Sequence, residues 1–233
     1  MASVIRNFLN KHKKSKDSND KHTNTNLLEF RHRFIIRKGS YKIEDKDYDR
    51  FLKIYVTAKD VKYKFGFTEV PKKVSALVFD FDLDLHTESC AKDVRESEVI
   101  TNLIKELQDA LKTLFYDIND EALVLFKNEA RLKKDGTVRY GLHLHFPHLH
   151  LTFPQKKIAR NELLDLCQKT FFMTKMKELC KPKDLDEVID ACVTEPRMGW
   201  MIYGCEKENS KPYQIYYVVK DGVKMDVTYE FNF

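Results

Sequence analysis

The sequence predicts an α+β fold: a mostly antiparallel sheet with helices packed on one face and a chemical site on the other. Three observations predict it. Ser75 to Leu85, SALVFDFDLDL, reads as a strand with one oily and one acidic face. Glu96 to Tyr116 repeats apolar residues at helical spacing. Val138 to Phe146 is a second two-faced strand, reached through the hairpin signal Asp135-Gly136.

The acidic strand organises the rest. Leu77, Phe79, Phe81, Leu83 and Leu85 share one face; Ala76, Val78, Asp80, Asp82 and Asp84 share the other. Carboxylates two residues apart on a strand lie about 6.5–7 Å from one another. They repel, and aspartate is a poor strand former. Something neutralises such a row, and the usual partner is a hard divalent cation, Mg²⁺ or Mn²⁺. A solvated strand end with Asp on its wet side is the plain alternative.

Composition sets the outer limits. The chain has 233 residues, 42% hydrophobic and 33% charged, as a globular protein does. No apolar run reaches the length of a membrane span, and the N-terminus lacks the apolar core of a secretory signal. Five cysteines, an odd number without a C-x-x-C pair, point to a reducing intracellular setting. Of the net charge of +5, residues 1–38 contribute +7 and the remainder −2. Residues 1–38 therefore read as a basic leader and loop, able to attract a phosphate backbone or simply to be solvated. Residues 39–233 read as a single domain.

In order, residues 1–10 predict a short helix with Val4, Ile5, Phe8 and Leu9 inward. Lys11 to Asn26 is polar and reads as a mobile loop. Phe30 to Arg37 and Tyr41 to Ile43 read as short strands, and Asp45 to Val56 as a helix. The helix Glu96–Tyr116 is expected on the apolar back of the acidic strand. Leu123 to Arg131 and Val138 to Phe146 form the next two strands, with Pro147 ending the second. In that second strand Leu142, Leu144 and Phe146 share one face, and Gly141, His143 and His145 the other. Ile158 to Cys180 predicts one long helix closed by Pro182. Val188 to Val193 and Gly199 to Tyr203 read as short strands flanking Asp190 and Arg197. Tyr213 to Val219 and Val223 to Phe231 form a last hairpin across Asp221-Gly222.

Asp80, Asp82 and His143 then project from neighbouring strands on the face away from the helices. Two carboxylates sharing a pair of metal ions serve phosphoryl and nucleotidyl transfer, with a further acid and cations for a triphosphate. Asp190 is an acid within an apolar stretch, whose bland reading is a local cap. Lys207 and Lys211 follow a strand end and are, singly, ordinary surface lysines. No G-x-x-x-x-G-K-[ST] occurs, so no P-loop NTPase is encoded.

The order of Phe79-Asp80-Phe81-Asp82, then Gly141-Leu142-His143, then Asp190 in VIDACV, then MIYGCEKENSKPYQI resembles the archaeo-eukaryotic primase superfamily. Specifically, it resembles the primase modules of primase–helicases of nucleocytoplasmic large DNA viruses. The resemblance runs over roughly residues 75–217 and rests on Gly204 to Lys207 as well as on the order of the motifs. It implies an RRM-like catalytic core, with Asp80, Asp82 and Asp190 as ligands of two Mg²⁺ or Mn²⁺ ions. It implies His143 and Lys207, with Lys211 or Arg197, near a nucleotide's phosphates. The implied reaction is template-directed primer synthesis from nucleoside triphosphates on single-stranded DNA, at a viral replication site inside the host cell. Relatives often carry an arginine shortly before the closing lysine; Met201 stands near that place here, and Arg197 is the nearest arginine. Relatives also continue into a helicase, which implies an N-terminal module of a longer polypeptide.

Two rivals differ in kind. His143-Leu144-His145 and His148-Leu149-His150 have the His-hydrophobe-His form of rolling-circle replication nucleases, which need a tyrosine on a following helix. The helix from Ile158 has none. A non-catalytic single-strand binder would use exposed aromatics on its sheet, where this sequence predicts Asp and His.

Overall fold

The computed structural model describes residues 2–13, 27–29, 39–60, 65–196, 198–205 and 211–227. In chain order the elements are α1 (Ala2–His12), β1 (Leu27–Glu29), β2 (Gly39–Tyr41), α2 (Asp45–Asp60), β3 (Phe67–Glu69), β4 (Val74–Leu85), α3 (Cys90–Glu96) and α4 (Glu98–Phe115). Then come β5 (Ala122–Lys127), β6 (Arg131–Leu132), β7 (Val138–Thr152), α5 (Phe153–Lys169), α6 (Phe172–Leu179) and α7 (Leu185–Val188). A 3₁₀ turn at Ala191–Thr194, β8 (Trp200–Met201), β9 (Tyr213–Lys220) and β10 (Val223–Asp226) complete the described chain. Helices and antiparallel strands make this an α+β fold, as the alternation of patterns predicts.

The elements group into two compact units. One holds α1, β1, β2, α2, β3 and β8; the other holds β4 through the 3₁₀ turn together with β9 and β10. In the first, strands run in the order β2-β1-β3-β8, and Ile5, Phe8 and Leu9 of α1 join Phe51, Tyr55 and Phe67 in a core. Val4, expected inward, is 47% exposed. The expected strand Phe30–Arg37 and most of the leader loop lie outside the described residues.

The second unit carries the acidic strand. Its sheet runs β10-β9-β5-β7-β4, with β6 added beside β7. Leu77, Phe79, Phe81, Leu83 and Leu85 are buried in one core with Ile100, Leu103, Ile104, Leu107 and Leu111 of α4 and with Leu163 of α5. The apolar back of β4 thus meets the helices, as expected. At about 1.5–3 kcal/mol for each large apolar side chain taken out of water, that face commits the strand to a single register. The β9–β10 turn carries Asp221 and Gly222 at φ of 49° and 70°, the left-handed pair that a two-residue hairpin needs.

Three expectations are corrected. Strand β7 does not end at Pro147 but continues to Thr152. Pairing with β4 jumps from Leu77–Phe146 to Ala76–His150, so Pro147 lies in an irregular stretch that demands no ladder N–H. The expected helix Ile158–Cys180 is broken between α5 and α6, where Thr170 is extended (φ −97°, ψ 175°). The break moves the apolar stripe by one residue: Phe171 is 62% exposed and Phe172 only 2%. The expected strand Val188–Val193 is instead the end of α7, one bridge from Ile189 to Phe81, and the 3₁₀ turn. Among the described residues no helix is long and apolar enough to cross a membrane.

Candidate active site

Strand β4 lies at the edge of its sheet, and an edge strand leaves backbone groups to be satisfied. The segment from α6 to the 3₁₀ turn does this. The Asp84 carbonyl accepts from the Lys181 amide at 2.7 Å and the Asp80 carbonyl from the Asp190 amide at 2.9 Å. Between them the Lys183 ammonium donates to the Asp82 carbonyl at 3.2 Å. The acidic strand is therefore held along its outer side by backbone and lysine donors. Asp190 is docked beside Asp80 by its main chain. Its own carboxylate caps the 3₁₀ turn, accepting from the Cys192 amide at 2.8 Å.

On the inner side β7 sets Asp80 opposite His143, Asp82 opposite Gly141 and Asp84 opposite Arg139. His143 Nε2 lies 3.3 Å from Asp80 Oδ1, with the imidazole 8% and the carboxylate 26% exposed. Arg139 spans the other two acids: Nε donates to Asp84 Oδ1 and Nη1 to Asp82 Oδ2, both at 3.2 Å. Lys133 and Lys183 each approach Asp84 at 3.9 Å. The chain's own cations thus neutralise Asp84 and share Asp82, which modifies the expectation that an added cation must neutralise the whole row.

Tyr213 completes this face. Its ring stacks on His143 with centroids 3.4 Å apart and 20° between planes. Tyr213 pairs with Lys127 on β5, and its ring reaches across to β7. That reach requires glycine at position 141. A Cβ there would overlap the Tyr213 hydroxyl and lie 2.9 Å from Cζ. Burial, reinforced by Asp80 and Asp82, pushes the phenol well above its ordinary range, so the hydroxyl keeps its proton.

His145 sits two residues beyond His143 on the same strand face, opposite Val78. Burial, then the neighbouring His143 and Lys156, push it down to about 4, so it is neutral at physiological pH. Lys156 of α5 is buried, bonds the Ser75 hydroxyl at 2.8 Å, and is held at about 8 by desolvation. His148 and His150, beyond the irregular stretch, are exposed, and His148 lies 3.6 Å from Glu121.

Of the sequence-derived site residues, Asp80, Asp82, Asp190 and His143 come together at β4. Arg197 and Lys207 lie outside the described residues, and Lys211 is exposed in the first unit. Arg139, Lys183 and Tyr213 were not selected from sequence. Arg139 could have been found: it shares strand parity with Gly141 and His143. Lys183 could not, because only the edge docking brings it in.

Among the described residues no three His, Cys, Asp or Glu side chains form a ready metal cage. What fits a hard divalent cation is the donor chemistry: carboxylate oxygens of Asp80 and Asp82 on one face, with the Asp190 main chain docked at the strand edge and its carboxylate on the Cys192 amide.

A family model described as the C962R protein N-terminal AEP domain matches residues 32–219. The chain belongs to this family. The match takes in β4, β7, the Asp190 turn and β9, so every described residue of the site lies within the AEP domain. Its relatives include two helicase-named viral proteins. One is L207/L206 of Acanthamoeba polyphaga mimivirus, 26% identical over 180 residues, covering 76% of this chain and 18% of the relative. The other is 184R of Invertebrate iridescent virus 6, 25% identical over 229 residues, covering 86% and 22%. The AEP chain thus spans about a fifth of the length of these relatives.

Proposed function

We propose that the chain is the nucleotidyltransferase module of a viral primase–helicase. In this reading it joins nucleoside triphosphates into primers on single-stranded DNA. The observation that carries the reading is the pairing of Asp80 and Asp82 on one strand face with His143 across from Asp80 and Asp190 docked at the strand edge. Membership of the AEP family supports it. The helicase names of relatives of which the chain covers only about a fifth support a helicase portion in the same polypeptide.

Asp80, Asp82 and Asp190 would hold Mg²⁺ or Mn²⁺, two ions in the full site. Bound there, the ions supply Lewis acidity to the attacking hydroxyl and charge compensation to the leaving pyrophosphate. The rest is done by the chain's own groups. His143, stacked on the Tyr213 ring and set beside Asp80, would orient a phosphate oxygen. The family resemblance would add Lys207, Lys211 and Arg197 as further cations for a triphosphate, and the basic leader would attract a template backbone.

The test is incorporation of labelled nucleotides on single-stranded DNA with Mg²⁺ or Mn²⁺, comparing wild type with Asp80→Asn/Asp82→Asn. Metal-dependent products that the double variant loses, while its circular dichroism is unchanged, support the reading. No product from folded wild type, or equal product from the variant, overturns it. Nicking of the template would replace it with the nuclease.

A further inference from the structure

We infer that Arg139 is a substrate-binding residue held in store on the metal site: its guanidinium occupies Asp82 until a divalent cation takes that carboxylate, and then turns to a nucleotide phosphate. The inference rests on the proposed function and adds to it an arginine that neither the motifs nor the resemblance selected.

The geometry separates an anchor from an exchangeable contact. Nε of Arg139 donates to Asp84 and Nη1 to Asp82, each at 3.2 Å. Asp84 also has Lys133 and Lys183 at 3.9 Å and is only 18% exposed, so it is a settled part of the charge network. Asp82 is 37% exposed, and Arg139 is the only side-chain ion pair it makes among the described residues. A guanidinium carries its five N–H donors in one plane and stays charged at any working pH. It can keep the Nε bond to Asp84 as a pivot while its Nη groups exchange one oxyanion for another. Carboxylate and phosphate oxygens suit the same planar fork. Rotation away from Asp82 frees an oxygen beside Asp80 and directs two Nη groups to the place beside it.

Two consequences separate this role from a structural one. Arg139 competes with a cation for Asp82, so removing its charge tightens metal binding. It contacts phosphate once released, so the same change weakens nucleotide binding. A salt bridge that merely braced the sheet would not move the two affinities in opposite directions.

The experiment titrates the full chain with Mn²⁺ alone, and then with ATP at saturating Mn²⁺, in wild type, Arg139→Gln and Arg139→Lys. Arg139→Gln is expected to bind Mn²⁺ about tenfold more tightly, the ratio produced by about 1.4 kcal/mol. It is expected to bind ATP about tenfold or more weakly, the loss of a hydrogen bond to a charged group. Arg139→Lys keeps the charge and returns Mn²⁺ affinity towards wild type. It does not recover ATP affinity, because a lysine cannot hold Asp84 and a phosphate with one fork. Circular dichroism and thermal melts confirm that each variant is folded. Mn²⁺ affinity unchanged or weakened in Arg139→Gln, or ATP affinity unchanged, overturns the inference while leaving the metal reading intact. Absence of Mn²⁺ binding in wild type and Arg139→Gln alike overturns the metal reading and the inference with it.

Discussion

Replacing Gly141 with alanine is expected to destabilise the sheet and to disturb the candidate site from a position that carries no functional group. The new methyl would overlap the Tyr213 hydroxyl and stand 2.9 Å from Cζ. The ring cannot retreat freely, since it is stacked 3.4 Å from His143 with the Lys127 ammonium 5.1 Å from its centroid. Overpacking of this kind costs about 1–3 kcal/mol, and the lower backbone entropy of alanine in the unfolded chain offsets about 0.4–1 kcal/mol. A net loss of about 1–2 kcal/mol lowers the melting temperature by roughly 2–8 °C for a chain of this size. The assay is a double-mutant cycle in urea with Tyr213→Phe, which removes the overlapping oxygen. Gly141→Ala is expected to cost about 1 kcal/mol less in the Tyr213→Phe background than in wild type. Additivity within about 0.3 kcal/mol would refute the account, because the hydroxyl would then not be what fills the space above Gly141.

Asp190 separates capping from chemistry. Asp190→Asn keeps an oxygen for the Cys192 amide and is expected to leave stability within about 0.5 kcal/mol of wild type. Its nucleotide incorporation should fall by about 100-fold or more; activity like wild type would leave Asp190 as a cap alone. Lys156 has a folded-state value near 8, below the ordinary lysine value, so the unfolded chain binds more protons between that value and about 10.4. Its contribution therefore grows with pH across that window. Lys156→Met should be the more stable protein at pH 7, with an advantage that shrinks by pH 10; melts showing the same advantage at both pH values would contradict the desolvation. His145, held near 4, contributes stability that is present above about pH 6.5 and lost as pH falls towards 4. His145→Gln should flatten that part of the acid limb of a pH–stability curve, and an unchanged limb would count against the desolvated, neutral ring.

Much of this was legible because strand alternation is strict. The residues LVFDFDLDL specify which side chains of β4 enter the core, and GLHLHF does the same for β7. Together they place Asp80 and His143 on one face before any pairing is known. What stayed hidden depends on contacts remote in sequence. Pro147 ends a strand only where its missing N–H is required, and the register jump at Ala76/Leu77 removes that requirement. The α5–α6 break was masked because no proline or glycine marks it and the apolar residues run on through Phe171 and Phe172. Asp190 was selected as an acid in an apolar stretch, but its place beside Asp80 comes from β4 being an edge strand that needs a donor for its carbonyl. The charge balance of the acidic row was misjudged for a similar reason. Arg139 stands 55 residues from Asp84 in sequence and Lys183 stands 101 from Asp82, and the fold brings both to 3.2 Å.

On this reading the acidic face of β4 is where metal and nucleotide meet. Anomalous scattering from crystals of the chain soaked with Mn²⁺ and a non-hydrolysable nucleoside triphosphate would locate both. The expected map has a Mn²⁺ peak about 2.1 Å from carboxylate oxygens of Asp80 and Asp82, a triphosphate beside His143, and Arg139 turned from Asp82 to a phosphate. Mn²⁺ held elsewhere, for instance by His148 and His150, with Arg139 still on Asp82, would contradict it.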